Sequence, residues 1–184
     1  MKWFKVRLLL WMISLSAPAA LLSQRYLLNE GEAYFRSDAP LELIEARSKA
    51  LRGVIDPEAR AFAFSVPMSS FEGFNSPLQR EHFNENYLES DVYPVATFSG
   101  RIIEEVDFSV PGDYVVRAKG KLNIHGIEQE RIIKSELKVD GSGVHLKSDF
   151  TVLLEEHGIS IPKIVYQKIA EEIAVRVEGT LAPQ

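Results

Sequence analysis

Histidine is the side chain best suited to acid–base or metal chemistry near neutral pH, and this sequence has four. His82, His125, His145 and His157 are never two or four residues apart, so the short spacing of a local zinc motif is missing. The sequence therefore predicts no metal site. We expect His82 and His125 to hydrogen-bond the backbone at a helix and a turn. Contact with a ligand headgroup and acid–base catalysis are the alternatives.

The other charged side chains do not form a catalytic arrangement either. Adjacent glutamates occur at 155–156 and 171–172, and adjacent side chains on a strand point to opposite faces. Arg80 and Glu81 could orient a polar headgroup, although such a pair is more often the solvated face of a helix. The sequence also has no glycine-rich phosphate loop, no nucleophile elbow and no cysteine. We therefore predict no catalytic residues and a protein that is not an enzyme.

The first 23 residues are typical of a secretory signal peptide. Lys2, Lys5 and Arg7 precede fifteen uncharged residues, a run shorter than the roughly 20 apolar residues that cross a bilayer. Cleavage between residues 19 and 23 would leave a single domain of residues 24–184. We expect such a chain in a bacterial periplasm, with full secretion as the alternative.

Composition narrows the range of partners. Without Lys2, Lys5 and Arg7 the formal net charge moves from −5 to −8, so the mature chain as a whole has no general attraction to nucleic acid or to anionic lipid headgroups. The lack of cysteine excludes a disulfide framework and a lipid-modified cysteine at the cleavage site. We expect no nucleic-acid partner and no stable membrane anchor. The composition is compatible with either a monomer or a homodimer.

The elements that must position any site are mostly strands. Apolar and polar side chains alternate over long stretches, which predicts antiparallel strands with one face in water. On 42–54, for example, Ile44, Ala46 and Val54 share one face. We predict about eight strands in one all-β domain, with a helical insert after the third. The clearest strand segments are 42–54, 59–69, 114–124, 144–154 and 174–181.

The helical insert has its own start signal. Ser76 can cap a helix, Pro77 suits its first turn, and Gln79 has the spacing of a capping box. We therefore predict a short helix over about 76–88, and a further helical turn near 162–167, after Pro162. Apolar side chains of the first helix should anchor it over the strands; they are Leu78, Phe83, Tyr87 and Leu88.

Small side chains recur at the middle of the predicted inner face. A closed ring of eight strands can be filled by side chains or can hold one small ligand. We favour an open apolar lumen, and filling by phenylalanines is the alternative. Replacement of Gly120 by Phe should then fill empty space without unfolding the protein. The predicted lumen residues are Ile44, Ala46, Ser48, Phe62, Phe64, Phe98, Val116, Ala118, Gly120, Leu122 and Phe150.

Three segments together resemble the YceI-like family. They are SPLQREHF at 76–83, YPVATF at 93–98 and GKLNIHGI at 120–127. Their order and spacing fit, and the resemblance extends from about Ala33 to the C-terminus. It implies a single eight-stranded antiparallel lipocalin-like β-barrel that binds a polyisoprenoid or a related lipid.

Sequence pattern and resemblance together predict a non-catalytic carrier of an extended apolar ligand. Apart from a bound lipid or isoprenoid we expect no cofactor. The alternatives are a lipid-modifying enzyme that uses His82 or His125 as acid–base, and an envelope-stress adaptor whose barrel is only structural. The residues predicted at the mouth, where a headgroup would sit, are Leu78, Arg80, His82, Phe83 and His125.

Overall fold

Eight antiparallel strands form a closed barrel in the computed structural model, which describes residues 24–184. Each strand pairs with its neighbours in sequence, and the first pairs with the last. This confirms the predicted fold class, while the predicted signal peptide and its cleavage site lie outside the described residues. The strands are β1 (Tyr26–Asp38), β2 (Leu43–Asp56), β3 (Ala61–Pro67), β4 (Val95–Ile102), β5 (Gly112–Ile124), β6 (Ile127–Asp140), β7 (Gly143–Leu153) and β8 (Glu172–Pro183).

Within residues 24–184, no helix is both long enough and apolar enough to cross a membrane.

Two tight turns set the register of the hairpins. His125 and Gly126 join β5 to β6 with φ angles of 53° and 73°, as a two-residue turn with both central φ angles positive requires. Between β6 and β7 the Asp140 carboxylate accepts hydrogen bonds from the Ser142 backbone N–H at 2.8 Å and from its hydroxyl at 2.6 Å. Glycine and short polar residues are the residue types that such tight turns favour.

The helical insert lies between β3 and β4. A 3₁₀ turn (Met68–Ser70) comes first, and helix α1 (Pro77–His82) then continues as a π-helical turn (Phe83–Tyr87). The Ser76 hydroxyl caps α1 by accepting from the Gln79 backbone N–H at 3.2 Å. The Gln79 side chain accepts from the Asn75 N–H at 3.0 Å, one residue before the partner that a capping box would use.

The connection from β7 to β8 also contains helical turns. It contains 3₁₀ turns at Leu154–His157 and Lys163–Val165, the latter within the predicted 162–167 turn. Two hydrogen bonds hold it against the chain near the β1–β2 connection. The Leu41 N–H donates to the Gln167 carbonyl at 2.9 Å, and the Ala170 N–H donates to the Ser37 hydroxyl at 2.9 Å.

A bulge between β1 and β2 changes which residues face the barrel interior. The pairing register shifts on both sides of Gly31. After Ser48 the inner face of β2 therefore continues with Leu51 and Ile55, which are buried, and the expectation that Val54 faces inward is wrong. An extra residue in one strand reverses the alternation beyond it.

The end of the barrel at which β1 begins and β8 ends, here called the base, is closed by apolar packing. The rings of Tyr26 and Phe108 lie 5.4 Å apart, and the Tyr26 hydroxyl donates to the Phe108 carbonyl at 3.3 Å. Val144 and Leu181 are fully buried beside them. The other end, here called the mouth, carries the insert and the β7–β8 connection.

Candidate ligand-binding site

A cavity of about 530 Å³ lies inside the barrel and reaches the mouth. Its volume falls within the range of roughly 300–1,000 Å³ that is usual for small-molecule sites. The walls are almost entirely apolar, and side chains from every strand contribute to them. Such walls offer few hydrogen bonds to a hydrophilic ligand. Binding of a hydrocarbon is favourable, because its apolar surface leaves water when it enters the cavity.

Aromatic rings form the deep wall on β3 and β4. The Phe62 ring lies 4.8 Å from the Phe98 ring and 6.1 Å from the Phe64 ring. On the β5 side Val116 and Ala118 complete this part of the wall. The alternative that phenylalanines fill the lumen is therefore wrong, because the rings line the open space and leave it unfilled.

A second aromatic group narrows the mouth. Phe83 of the insert stacks on Phe35 of β1 at 5.4 Å and lies 5.0 Å from Phe74 and 5.8 Å from Phe71. Of these four rings only Phe83 was predicted. Phe71 and Phe74 precede the helix cap in a stretch without periodicity, and their apolar character beside a cap was the only signal available.

Polar side chains in the cavity wall are concentrated at the mouth. The Gln79 amide donates to the Glu42 carboxylate at 2.9 Å, and both residues line the cavity together with His82 and Lys168. A hydroxyl, carbonyl or phosphate on a ligand would find donors here and almost nowhere deeper.

The deeper exception is a pair of serines at mid-height. Ser135 and Ser148 face each other on β6 and β7, and their hydroxyl oxygens lie 2.6 Å apart. Both side chains are buried and line the cavity. Because the Ser148 hydroxyl donates to the Ser135 oxygen, part of the pair's hydrogen-bonding capacity is satisfied within the wall, and an apolar ligand can lie beside it.

Most of the predicted lumen residues line this cavity. Those that do are Ile44, Phe62, Phe64, Phe98, Val116, Ala118, Leu122 and Phe150. Ala46, Ser48 and Gly120 are buried but lie outside its lining. Ser48 is covered by the insert, because its hydroxyl lies 2.6 Å from the Ser70 hydroxyl. Contact of any of these residues with a ligand stays a prediction.

Gly120 borders backbone and not open space. It pairs with Gly100 across β4 and β5, and a Cβ built on Gly120 would lie 2.2 Å from the Ser99 carbonyl oxygen. The two strands approach too closely there for any side chain. The expectation that Phe at position 120 would fill empty space is therefore wrong.

The predicted mouth residues separate into two groups. Leu78, His82 and Phe83 line the cavity, whereas Arg80 and His125 do not. The Arg80 guanidinium donates to the Ser69 carbonyl at 3.0 Å and so fixes the insert. The His82 ring is exposed and makes no hydrogen bond to residues 24–184, so the expectation of a backbone bond from His82 is wrong.

His125 has the structural role that was expected of it. Its Nδ1–H donates to the His157 carbonyl at 3.1 Å, and its Nε2 lies 2.7 Å from the Glu89 carboxylate. The Tyr93 ring packs edge-on against it at 4.6 Å. His125 thus links the β5–β6 turn to the end of the insert and to the β7–β8 connection.

His157 is fully buried in the same region. Its Nδ1–H donates to the Ile127 carbonyl at 3.1 Å, while Nε2 has no partner among the described residues. Burial lowers the pKa of this imidazole below its ordinary 6.5. Across residues 24–184 there is no cluster of three or more metal-ligating side chains.

Comparison with known proteins gives one family and several similar folds. The family model of the YceI-like domain matches residues 42–181. A polyisoprenoid binding domain from Saccharophagus degradans, implicated in plant cell wall breakdown, has a TM-score of 0.69 and 14% identity; the alignment covers 89% of this chain and 98% of that one. No curated protein sequence matches the chain.

Two further solved structures share the fold. Burkholderia cenocepacia BcnA has a TM-score of 0.67 and 15% identity, with 82% of this chain and 94% of that chain covered. A Campylobacter jejuni YCEI protein has a TM-score of 0.54 and 15% identity, with 71% and 77% covered. At such identities these likenesses show the barrel architecture alone.

Proposed function

This chain belongs to the YceI-like domain family, and from that premise we propose that it binds an extended apolar ligand inside its barrel as a non-catalytic carrier. The observation that carries the proposal is the single-ended cavity of about 530 Å³, almost entirely apolar along its length, with its polar side chains concentrated near its mouth. A hydrocarbon tail would lie in the barrel, and each buried methylene would contribute about 0.8 kcal/mol.

An isoprenoid-type lipid is the ligand class that we propose. The Saccharophagus degradans domain of the same architecture is described as polyisoprenoid binding. In this chain the aromatic walls around Phe62 and Phe98 suit a flat, branched, unsaturated chain. The polar end of the lipid would lie among Gln79, His82 and Lys168 at the mouth.

The proposed place of action is a bacterial periplasm, or the medium if the protein is fully secreted. The support is the signal-like composition of the first 23 residues. Determining the N-terminus of the protein in separated cell fractions would test the location independently of lipid binding.

The decisive experiment is native mass spectrometry of the purified protein followed by lipid extraction. For Ala118→Phe, which projects a ring into the cavity from β5, we expect the co-purified lipid to be lost. The free energy of unfolding should change by less than the about 1–3 kcal/mol that overpacking of a filled core costs. Val115→Phe is the matched control on the exposed face of the same strand, and it should keep the lipid.

Two outcomes would contradict the carrier function. One is a parent protein that never carries lipid from its native host. The other is equal lipid retention by the parent and by a folded Ala118→Phe variant. Turnover of an isoprenoid that disappears in His82→Ala would instead favour an enzyme.

A further inference from the structure

Large apolar side chains are exposed around the mouth of the barrel. Ile164, at the tip of the β7–β8 connection, is 91% exposed, and Leu41, on the β1–β2 connection, is 67% exposed. Exposed apolar residues that are scattered singly need no explanation, but a group at the opening of a cavity does. We call this group the apolar rim: Leu41, Leu43, Leu78, Ile164 and Tyr166.

Hydrogen bonds between connections bring the rim together. The Leu41 N–H donates to the Gln167 carbonyl at 2.9 Å, which places the β1–β2 connection beside the segment that carries Ile164 and Tyr166. The Asn75 amide donates to the Leu43 carbonyl at 2.9 Å and places the insert on the other side. The rim therefore comes from three separate parts of the chain and surrounds one opening.

The rim is continuous with the cavity. Leu78 is exposed and also lines the cavity wall. In the 3₁₀ turn Lys163–Val165, Val165 lines the cavity while its neighbour Ile164 points to solvent. An apolar ligand that leaves the cavity would pass directly over this surface.

On its β7–β8 side the rim is flanked by positive charge, whereas on its β1–β2 side Glu42 lies between Leu41 and Leu43. Between Glu156 and Glu171 the sequence has Lys163 and Lys168 and no acidic residue. Lysines that flank exposed isoleucine and tyrosine have the composition of segments that lie at a bilayer interface. Each lysine close to an anionic leaflet is attracted to it, whereas a two-fold contact between copies centred on this lysine-bearing segment would bring like charges together.

We propose that the apolar rim docks onto a lipid bilayer that contains anionic headgroups. Ile164 and Leu41 enter the interface, Lys163 contacts headgroups, and the mouth of the cavity faces the membrane. The ligand can then exchange between bilayer and barrel without crossing water. The link to exchange rests on the proposed carrier function, but docking itself does not require a loaded cavity.

Vesicle co-sedimentation tests the docking. The protein without residues 1–23 is the material of choice, because residues 24–184 contain the complete closed barrel. It should sediment with vesicles of phosphatidylglycerol and phosphatidylcholine in equal parts, and more weakly with phosphatidylcholine alone. Ile164→Glu should weaken binding to both by about tenfold or more. Lys163→Gln should weaken binding to the anionic vesicles by about fivefold, and this loss should vanish at high salt.

Val115→Glu is the matched control, because it places the same charge at an exposed apolar position on the barrel wall. It should sediment like the parent. Lipid content measured on the Ile164→Glu protein tests lipid binding in the cavity separately from docking of the rim. A variant that keeps its bound lipid but no longer sediments with vesicles would support both proposals. Absence of sedimentation with either vesicle, or equal losses for Val115→Glu and Ile164→Glu, would overturn the docking. So would an Ile164→Glu variant that binds vesicles normally but changes only its oligomeric state.

Discussion

At the scale of single residues, the mouth is held by buried and half-buried histidines that do not touch the cavity. His125 bridges Glu89 and the His157 carbonyl, and His157 in turn donates to the Ile127 carbonyl. His125 and its two bonded partners, Glu89 and His157, all lie on connections between strands and not within strands. Gln129 adds a bond from its amide to the Glu156 carbonyl at 2.6 Å. These contacts explain how irregular segments keep a defined shape beside an open cavity.

His157 should make the stability of the barrel depend on pH. Burial lowers its folded pKa below 6.5, so as the pH falls through 6.5 the unfolded chain takes up a proton that the folded chain resists. The unfolded state then binds more protons, and stability decreases as the pH falls. We expect the melting temperature to drop between pH 7.5 and pH 5.5, and to drop less in His157→Gln.

His82→Gln is the control for this experiment, because His82 is exposed and makes no hydrogen bond within residues 24–184. Its melting temperature should follow the parent at both pH values. A His157→Gln protein whose melting temperature falls as steeply as that of the parent would show that other groups cause the effect.

At the scale of elements, helix α1 of the insert forms one side of the mouth while burying little of itself. None of the residues of α1 is buried. The helix is held by its cap, by the Arg80 contact with Ser69, by the Gln79 contact with Glu42 and by the Phe83 ring that follows it. Few buried contacts allow local opening at a lower free energy than the strands require.

Hydrogen exchange should therefore distinguish the insert from the barrel wall. We expect the amides of residues 77–87 to exchange faster than those of residues 116–124. Ser76→Ala removes a cap worth about 1 kcal/mol, so it should speed exchange in the insert further and leave β5 unchanged. Equal protection of insert and β5 in the parent protein would contradict this account.

Element boundaries were largely predictable from sequence, and the exceptions have a common cause. Periodicity reports which face a residue shares with its neighbours, and the hairpin turns carry their own glycine and aspartate signals. Periodicity does not reveal a bulge, so the inward-facing Leu51 and Ile55 of β2 were not predicted. Nor does it report how closely two strands approach, so Gly120 was assigned to the lumen although Ser99 backbone lies against it.

At the scale of the whole molecule, the barrel has one closed and one open end. The Tyr26 and Phe108 rings close the base, and the insert and the β7–β8 connection frame the mouth. A cavity with a single opening fixes the direction of a two-ended ligand: the apolar tail enters first and the polar end stays outside. The position of the base then sets the longest tail that fits.

Opening the base should lengthen the accepted tail. Phe108→Ala removes a buried ring whose loss should cost about 3–5 kcal/mol of unfolding free energy, and it leaves space beyond Ile55. In native mass spectrometry with linear prenols of increasing length, the variant should retain longer chains than the parent does. Val110→Ala, at an exposed position on the same β4–β5 connection, is the matched control and should keep the parent's length limit. Should Phe108→Ala lose stability without any change in the preferred length, the base would not be the end of the ligand's path.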